Sequence, residues 1–403
     1  MRLLLYVSIA LGLCACEKKN LSDEEILTLH NELITIDTHC DTPLNLLENF
    51  FDLGVEHPYE EGRVDIPRMK KGGLDGVFFA VFTGQKPRTE ENYGQAYVWA
   101  NEMIDSIYAG VGRYPEELQI TRSTKDFYRV NKEGKRGVFI GLENGFPLAK
   151  DLSRVEEFYD RGVRYITLSH SFHNDICDSS SDLAEPEHNG LSSYGEQVVE
   201  EMNRLGMLID ISHTSDETFF DVVAYSKAPV FASHSSVRAI ANHDRNMTDE
   251  MLKALAKKGG VIQICLMDSY VQNPDTTTMR YKIESRLRHI YRSRFNTMCK
   301  EEKSDFLTEW RQMKKDYPKK LAVIKQFVDH IDYVKNLVGV DYVGIGSDFD
   351  GGGALADCQD IGAYPDITKE MVRRGYSEKD IRKIWGENFL RVFKKVEDCA
   401  DKK

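Results

Sequence analysis

Six motifs place histidine or acidic side chains on otherwise apolar runs: Asp37-Thr38-His39-Cys40-Asp41, Leu142-Glu143-Asn144, Leu168-Ser169-His170, Asp210-Ile211-Ser212-His213, Ala232-Ser233-His234 and Gly346-Ser347-Asp348. One histidine after an apolar run is an ordinary structural residue. Many ionisable groups buried together are costly unless something compensates, and a divalent cation does so directly. His39 and Asp41, two apart, share one side of a strand. Imidazoles with carboxylates suit Zn²⁺, and also Mn²⁺, Co²⁺ or Fe²⁺. Three histidines and two carboxylates exceed the needs of one tetrahedral catalytic zinc and suffice for two ions if one carboxylate bridges. Two ions about 3.5–4 Å apart hold a hydroxide and polarise a carbonyl. A further aspartate can then manage the proton. That chemistry is metal-assisted hydrolysis.

Such motifs need a scaffold that gathers their ends. Apolar, β-branched runs recur at residues 33–37, 76–82, 137–142, 165–169, 208–211, 230–233, 260–266 and 342–347. They are nearly continuous, as expected of strands buried on both faces. Helical patterns lie between them, at 93–108, 152–161, 194–205, 216–225 and 248–257. Strands alternating with helices predict an α/β chain, a (β/α)8 TIM-type barrel whose strand ends meet at one catalytic face. An open doubly wound sheet is the alternative, but no glycine-rich dinucleotide fingerprint follows the first strand. Residues 268–320 hold no strand. Residues 280–320 carry 13 Lys/Arg against 6 Asp/Glu, with Leu287, Ile290, Tyr291, Phe306 and Trp310 at helical spacing. This predicts a basic helical insertion before the last strand.

The 403 residues carry a formal charge of −12, which argues against a nucleic-acid partner. No apolar run reaches the length of a membrane span. Arg2 precedes an apolar run to Leu13, the pattern of a secretory signal. Leu13-Cys14-Ala15-Cys16 resembles a bacterial lipoprotein box, which implies cleavage before Cys16, lipidation there, and a chain exported and anchored to a bacterial membrane. The expected organisation is a lipoprotein signal peptide at 1–15, a tether and start of the fold at 16–30, and one barrel domain at 31–400 with the insertion at 268–320. Six further cysteines form no CxxC pair. Export permits disulfides, but buried thiols are the plainer expectation.

In order, IDTHCDTP, GLENG, TLSH, DISHTS, FASHSS, RNM and GIGSDFDGG resemble the membrane dipeptidase family, metallopeptidases of the M19 type, from about Ile34 to Phe393. The resemblance implies a (β/α)8 barrel, two zinc ions per chain, a dipeptide substrate and a homodimer. It makes His39, Asp41 and a bridging Glu143 ligands of one zinc, and Glu143, His213 and His234 ligands of the other. It gives His170 a role in binding substrate and stabilising the tetrahedral intermediate, Arg245 the substrate carboxylate, and Asp348 the proton shuttle. It further implies that a metal-bridging hydroxide would attack the peptide carbonyl. The chain departs from the family pattern at Ser171-Phe172-His173, where an Asn and a Trp usually lie nearby. It departs again at Cys265-Leu266-Met267-Asp268, where vertebrate members carry an aromatic residue near Met267. Both departures bear on substrate preference.

The rival is another amide or ester hydrolase of the amidohydrolase-like barrel type. Those carry His-x-His on the first strand and often a modified lysine on the fourth; here the positions read His39-Cys40-Asp41 and His170. A binding lipoprotein that has lost catalysis would lack a ligand or the shuttle, and none is missing. His30, His57, His188, His243, His289 and His330 are read as structural or surface residues, with His173 a candidate substrate contact. Asp37 and Asp210 are read as structural, and Asp350 with the glycines after it as shaping a turn.

Overall fold

The apolar runs pair into a parallel sheet. In the computed structural model, which describes residues 21–48 and 51–401, the strands are β1 (Ile36–Cys40), β2 (Gly76–Phe82), β3 (Leu118–Ile120), β4 (Arg136–Glu143), β5 (Val163–Thr167), β6 (Leu208–Asp210), β7 (Phe231–Ser235), β8 (Val261–Ile264) and β9 (Val343–Ile345). Their order is β1-β2-β4-β5-β6-β7-β8-β9, with β3 a short addition paired to the start of β4. β1 and β9 are joined through the bridge Cys40↔Phe349. There Asp348 N–H donates to the His39 carbonyl (2.9 Å) and Asp41 N–H to the Phe349 carbonyl (2.8 Å). The result is a nearly closed barrel of eight parallel strands with helices around it, an α/β TIM-type fold. Its seam runs through His39, Asp41 and Asp348.

Two hydrophobic layers support the site. The larger packs the outer strand faces against the helices. The other fills the barrel near the strand starts with Ile36, Phe78, Phe139, Tyr165 and Phe231, and the helix Asn388–Cys399 covers it with Phe389 and Phe393. Phe78 and Phe139 stack at 4.7 Å. Full burial of such rings contributes roughly 1.5–3 kcal/mol each. This makes a rigid floor under the polar strand ends.

Two features differ from expectation and two refine it. β1 begins at Ile36 rather than near residue 33, so His39 lies inside the strand. β3 was not foreseen; three residues are too few to show a period. Part of the expected tether is the helix Asp23–Asn31, closed by a Ser22/Glu25 capping box and burying Ile26 and His30. The expected helical insertion is a hairpin, Met279–Arg294 and Lys300–Asp316, with its own small core of Leu287, Phe306 and Met313. The expected signal peptide and the expected lipidation site, Cys16, lie outside the described residues. Among the described residues all six cysteines are free, and no helix is long and apolar enough to cross a membrane.

Candidate metal centre and its cleft

Glu143 ends β4 and is the hub. Its Oε2 lies 3.6 Å from His39 Nε2, while its Oε1 lies 3.2 Å from His213 Nε2 and 3.6 Å from His234 Nε2. One carboxylate thus presents a different oxygen to each of two donor groups. His39 Nε2 is also 3.6 Å from Asp41 Oδ2. Donor atoms of three sets, His39/Glu143/His234, Glu143/His170/His213 and His39/Asp41/Asp348, lie within 4.8 Å of one another. All seven of these side chains, which the sequence had spread over some 310 residues, therefore meet at one end of the barrel. Arg245, the eighth, is beside them: its guanidinium donates to the His234 carbonyl (3.0 Å).

The backbone is bent to aim them. Asn144, His213 and Asp348 have φ of 79°, 69° and 61°, the left-handed region that non-glycine residues adopt at a cost. Gly351 is required by proximity, since a Cβ there would overlap Asp41 Oδ2 and Asp348 Oδ1.

The donors fit metal ions. His39 Nε2 and Asp41 Oδ1 are buried and have no hydrogen-bond partner, a costly state for polar atoms unless a cation satisfies them. The far ring nitrogens are already held. Tyr165 Oη lies 2.8 Å from His39 Nδ1. Ser233 O–H donates to Asp210 (2.6 Å), which leaves its oxygen to accept from His234 Nδ1–H (2.7 Å). Both arrangements occupy Nδ1 and leave Nε2 facing Glu143, as metal-binding histidines require.

Burial sets the proton occupancy. It pushes His213 and His234 well below the usual histidine range, helped by Arg245 and neighbouring imidazoles. Burial, then Arg245, pushes His170 down to about 3. Burial opposes protonation of His39 too, but Glu143 and Asp41 together outweigh it and hold His39 well above its ordinary value. Burial, then the neighbouring Asp41, raises Asp348 well above the carboxylate range. Without cations His39 and Asp348 therefore bind protons more tightly than the free side chains do.

Residues 23–403 match the family model described as membrane dipeptidase, peptidase family M19. The chain belongs to that family. The dipeptidase tcpJ of Claviceps purpurea is 30% identical over 368 residues, 89% of this chain and 76% of that protein. Dipeptidase 3 of Rattus norvegicus is 29% identical over 387 residues, 94% and 68% of the two chains. The solved structure of a probable dipeptidase, PvdM of Pseudomonas aeruginosa, has a TM-score of 0.85 and 29% identity, covering 94% of this chain and 99% of that one.

As an M19 metallo-dipeptidase the chain is a hydrolase, and the remaining surroundings of its cluster acquire meaning. A cleft of about 1070 Å³ opens above Asp41, Glu143, His170, His213, His234 and Asp348. Among the described residues no carboxylate lies within salt-bridge distance of Arg245, although this guanidinium is only 4% exposed and its Nε has no partner. Tyr270 lies under it at 5.2 Å.

Several supporting residues were missed in the sequence. Tyr165, Ser233 and Tyr270 gave no local signal, because their partners are on other strands. Asp210 is structural as expected, but its structure is the histidine support. His243, read as bland, stacks edge-on against Tyr270 at 4.7 Å and accepts the Arg245 N–H (3.1 Å). His173 is not placed in the cleft wall: it is buried, and its Nδ1 accepts from Ser179 N–H (3.0 Å) to hold the β5 loop. Asp350 shapes its turn, accepting from Thr42 O–H (2.7 Å) and Arg63 N–H (2.9 Å).

Proposed function

We propose that this M19 enzyme is a two-zinc dipeptidase that recognises the free C-terminal carboxylate of its substrate. The observation that carries the reading is Glu143, whose two oxygens face separate donor groups (His39 and the His213/His234 pair) as a bridging ligand would. His39, Asp41 and Glu143 would hold one ion, and Glu143, His213 and His234 the other. When bound, the ions supply Lewis acidity toward the peptide carbonyl and a water acidic enough to serve as hydroxide at neutral pH.

The chain's own residues do the rest. Arg245 is a buried cation without an acidic partner among the described residues, so a substrate carboxylate completes it with charge-assisted hydrogen bonds. A tripeptide would carry its carboxylate too far along. His170, pushed down to about 3, is a neutral imidazole at neutral pH. It therefore meets the developing oxyanion with an N–H dipole rather than a full charge. Asp348 shares a buried site with Asp41 and readily holds a proton. It takes one from the attacking water and returns it to the leaving amine.

The test is metal analysis of the purified protein followed by a panel of L,L and L,D dipeptides, their C-terminal amides and tripeptides, with and without chelator. About two zinc ions per chain and chelator-sensitive turnover of free dipeptides alone are expected. Absence of turnover of any dipeptide by the metal-loaded protein would sink the reading. Asp348→Asn should keep its metal and lose roughly 10²–10⁴-fold in kcat; full activity would remove the shuttle. Export and lipid attachment at Cys16 are part of the same proposal, supported by the leader sequence. Cys16→Ser should shift the protein out of the membrane fraction. A homodimer, implied by the family, would register as doubled mass in light scattering.

A further inference from the structure

The cleft above the metal donors has a polar floor and an apolar rim. Phe172 and Leu183 on the loop after β5, and Tyr291 and Leu307 on the insertion hairpin, all line it. They are large hydrophobic side chains exposed by 51%, 69%, 57% and 41%. Trp310 of the hairpin joins them. Single exposed hydrophobics need no explanation, but several converging from two distant segments on one cleft do. At about 1070 Å³ the cleft matches sites for ligands of several hundred daltons. A dipeptide of small residues would leave the rim untouched.

We propose that this rim is the side-chain specificity surface of the enzyme, two apolar jaws that select dipeptides bearing a large aromatic or branched apolar side chain. The inference rests on the dipeptidase activity and names its substrate class. The hairpin jaw is built to hold a position. It has a core of its own, and the chain leaving its second helix is tied to Asp268. The Asp268 carboxylate accepts from Ala322 N–H and pairs with Lys319 (2.8 Å). Asp268 directly follows Met267, itself a cleft residue, so the jaw is fixed to the barrel mouth. Among the described residues, the one cation of this jaw that lines the cleft, Arg288, is already paired with Glu284 (2.7 Å) on its own helix. The rim is thus matched to an apolar side chain rather than an acidic one.

The test uses zinc-loaded full-length protein and two matched dipeptide series, X-Gly and Gly-X, with X as Ala, Asp, Lys, Leu, Phe or Trp. Variants are Tyr291→Ala with Trp310→Ala on one jaw, Leu183→Ala on the other, and Tyr128→Ala, an exposed residue on a distant helix, as control. The wild type should favour Phe or Trp over Ala in at least one series by about tenfold or more in kcat/KM. Each jaw variant should cut that ratio several-fold, and the control should not. A wild type indifferent to X, or a ratio unmoved in both jaw variants, would overturn the inference while leaving the dipeptidase intact. A wild type that cleaves no dipeptide would instead remove the activity itself. Because the two jaws are separate segments, loss of folding in the hairpin variant leaves Leu183→Ala to decide.

Discussion

Tyr165→Phe isolates the support of a metal ligand from the ligand itself. The Tyr165 ring lies across Gly141, where a Cβ would overlap it, and is fully buried. Phenylalanine keeps that packing and removes only the hydroxyl. The hydroxyl lies 2.8 Å from His39 Nδ1. Burial, then the carboxylates of Asp210 and Glu143, holds the phenol well above its ordinary pKa, so it stays protonated and neutral. With His39 Nε2 committed to a cation, its Nδ1–H donates to Tyr165. The variant leaves that N–H buried without an acceptor, which costs about 1–3 kcal/mol. At about 1.4 kcal/mol per tenfold, that is a loss of roughly 5- to 150-fold in affinity at the ion held by His39, consistent with the usual effect of losing such a support. The assay is competition for Zn²⁺ with a chromophoric chelator, alongside kcat at saturating zinc. The expected result is one weakened ion, the other unchanged, and most of kcat recovered when zinc is in excess. Unchanged affinity at both ions would refute the support role.

Arg245→Met removes the buried guanidinium, worth about 1.5–3 kcal/mol to a bound carboxylate. KM for dipeptides should rise roughly 10- to 150-fold, and discrimination against C-terminal amides should disappear; an unchanged KM would exclude the clamp. Gly351→Ala drives a methyl between Asp41 and Asp348. It should weaken zinc binding by about tenfold or more while circular dichroism stays native. Burial pushes His330 down to about 4 from its ordinary 6.5. Because the folded state favours the neutral ring, its contribution is complete above pH 6.5 and is lost as pH falls through about 4. The wild type should therefore lose on the order of 3 kcal/mol relative to His330→Gln between pH 7 and 4, read from urea midpoints; a constant difference would show that His330 does not titrate this way.

Much of the polar cluster was legible because it obeys a local rule. Strands buried on both faces are almost wholly apolar, so His39, Glu143, His213, His234 and Asp348 stand out at their ends. A repeating strand and helix pattern then brings those ends together whatever the exact boundaries. The start of β1 slipped by three residues without moving His39 from the catalytic face. The short β3 and the helix Asp23–Asn31 were not legible, the first for want of length and the second because the residues before it read as a tether.

The sequence by itself therefore determined the barrel and the cluster of ionisable side chains at its strand ends, since alternation and composition are properties of neighbouring residues. Tertiary structure decided what those residues face. The pairing of Gly141 with Tyr165 across β4 and β5 makes room for the ring that reaches His39. The contact of Asp210 with Ser233 across β6 and β7 orients His234. The β5 loop and the insertion hairpin, more than 100 residues apart, share one apolar rim. Each of these depends on strand register and long-range packing, which set the partner of a side chain without leaving any mark on the spacing of its neighbours in the chain.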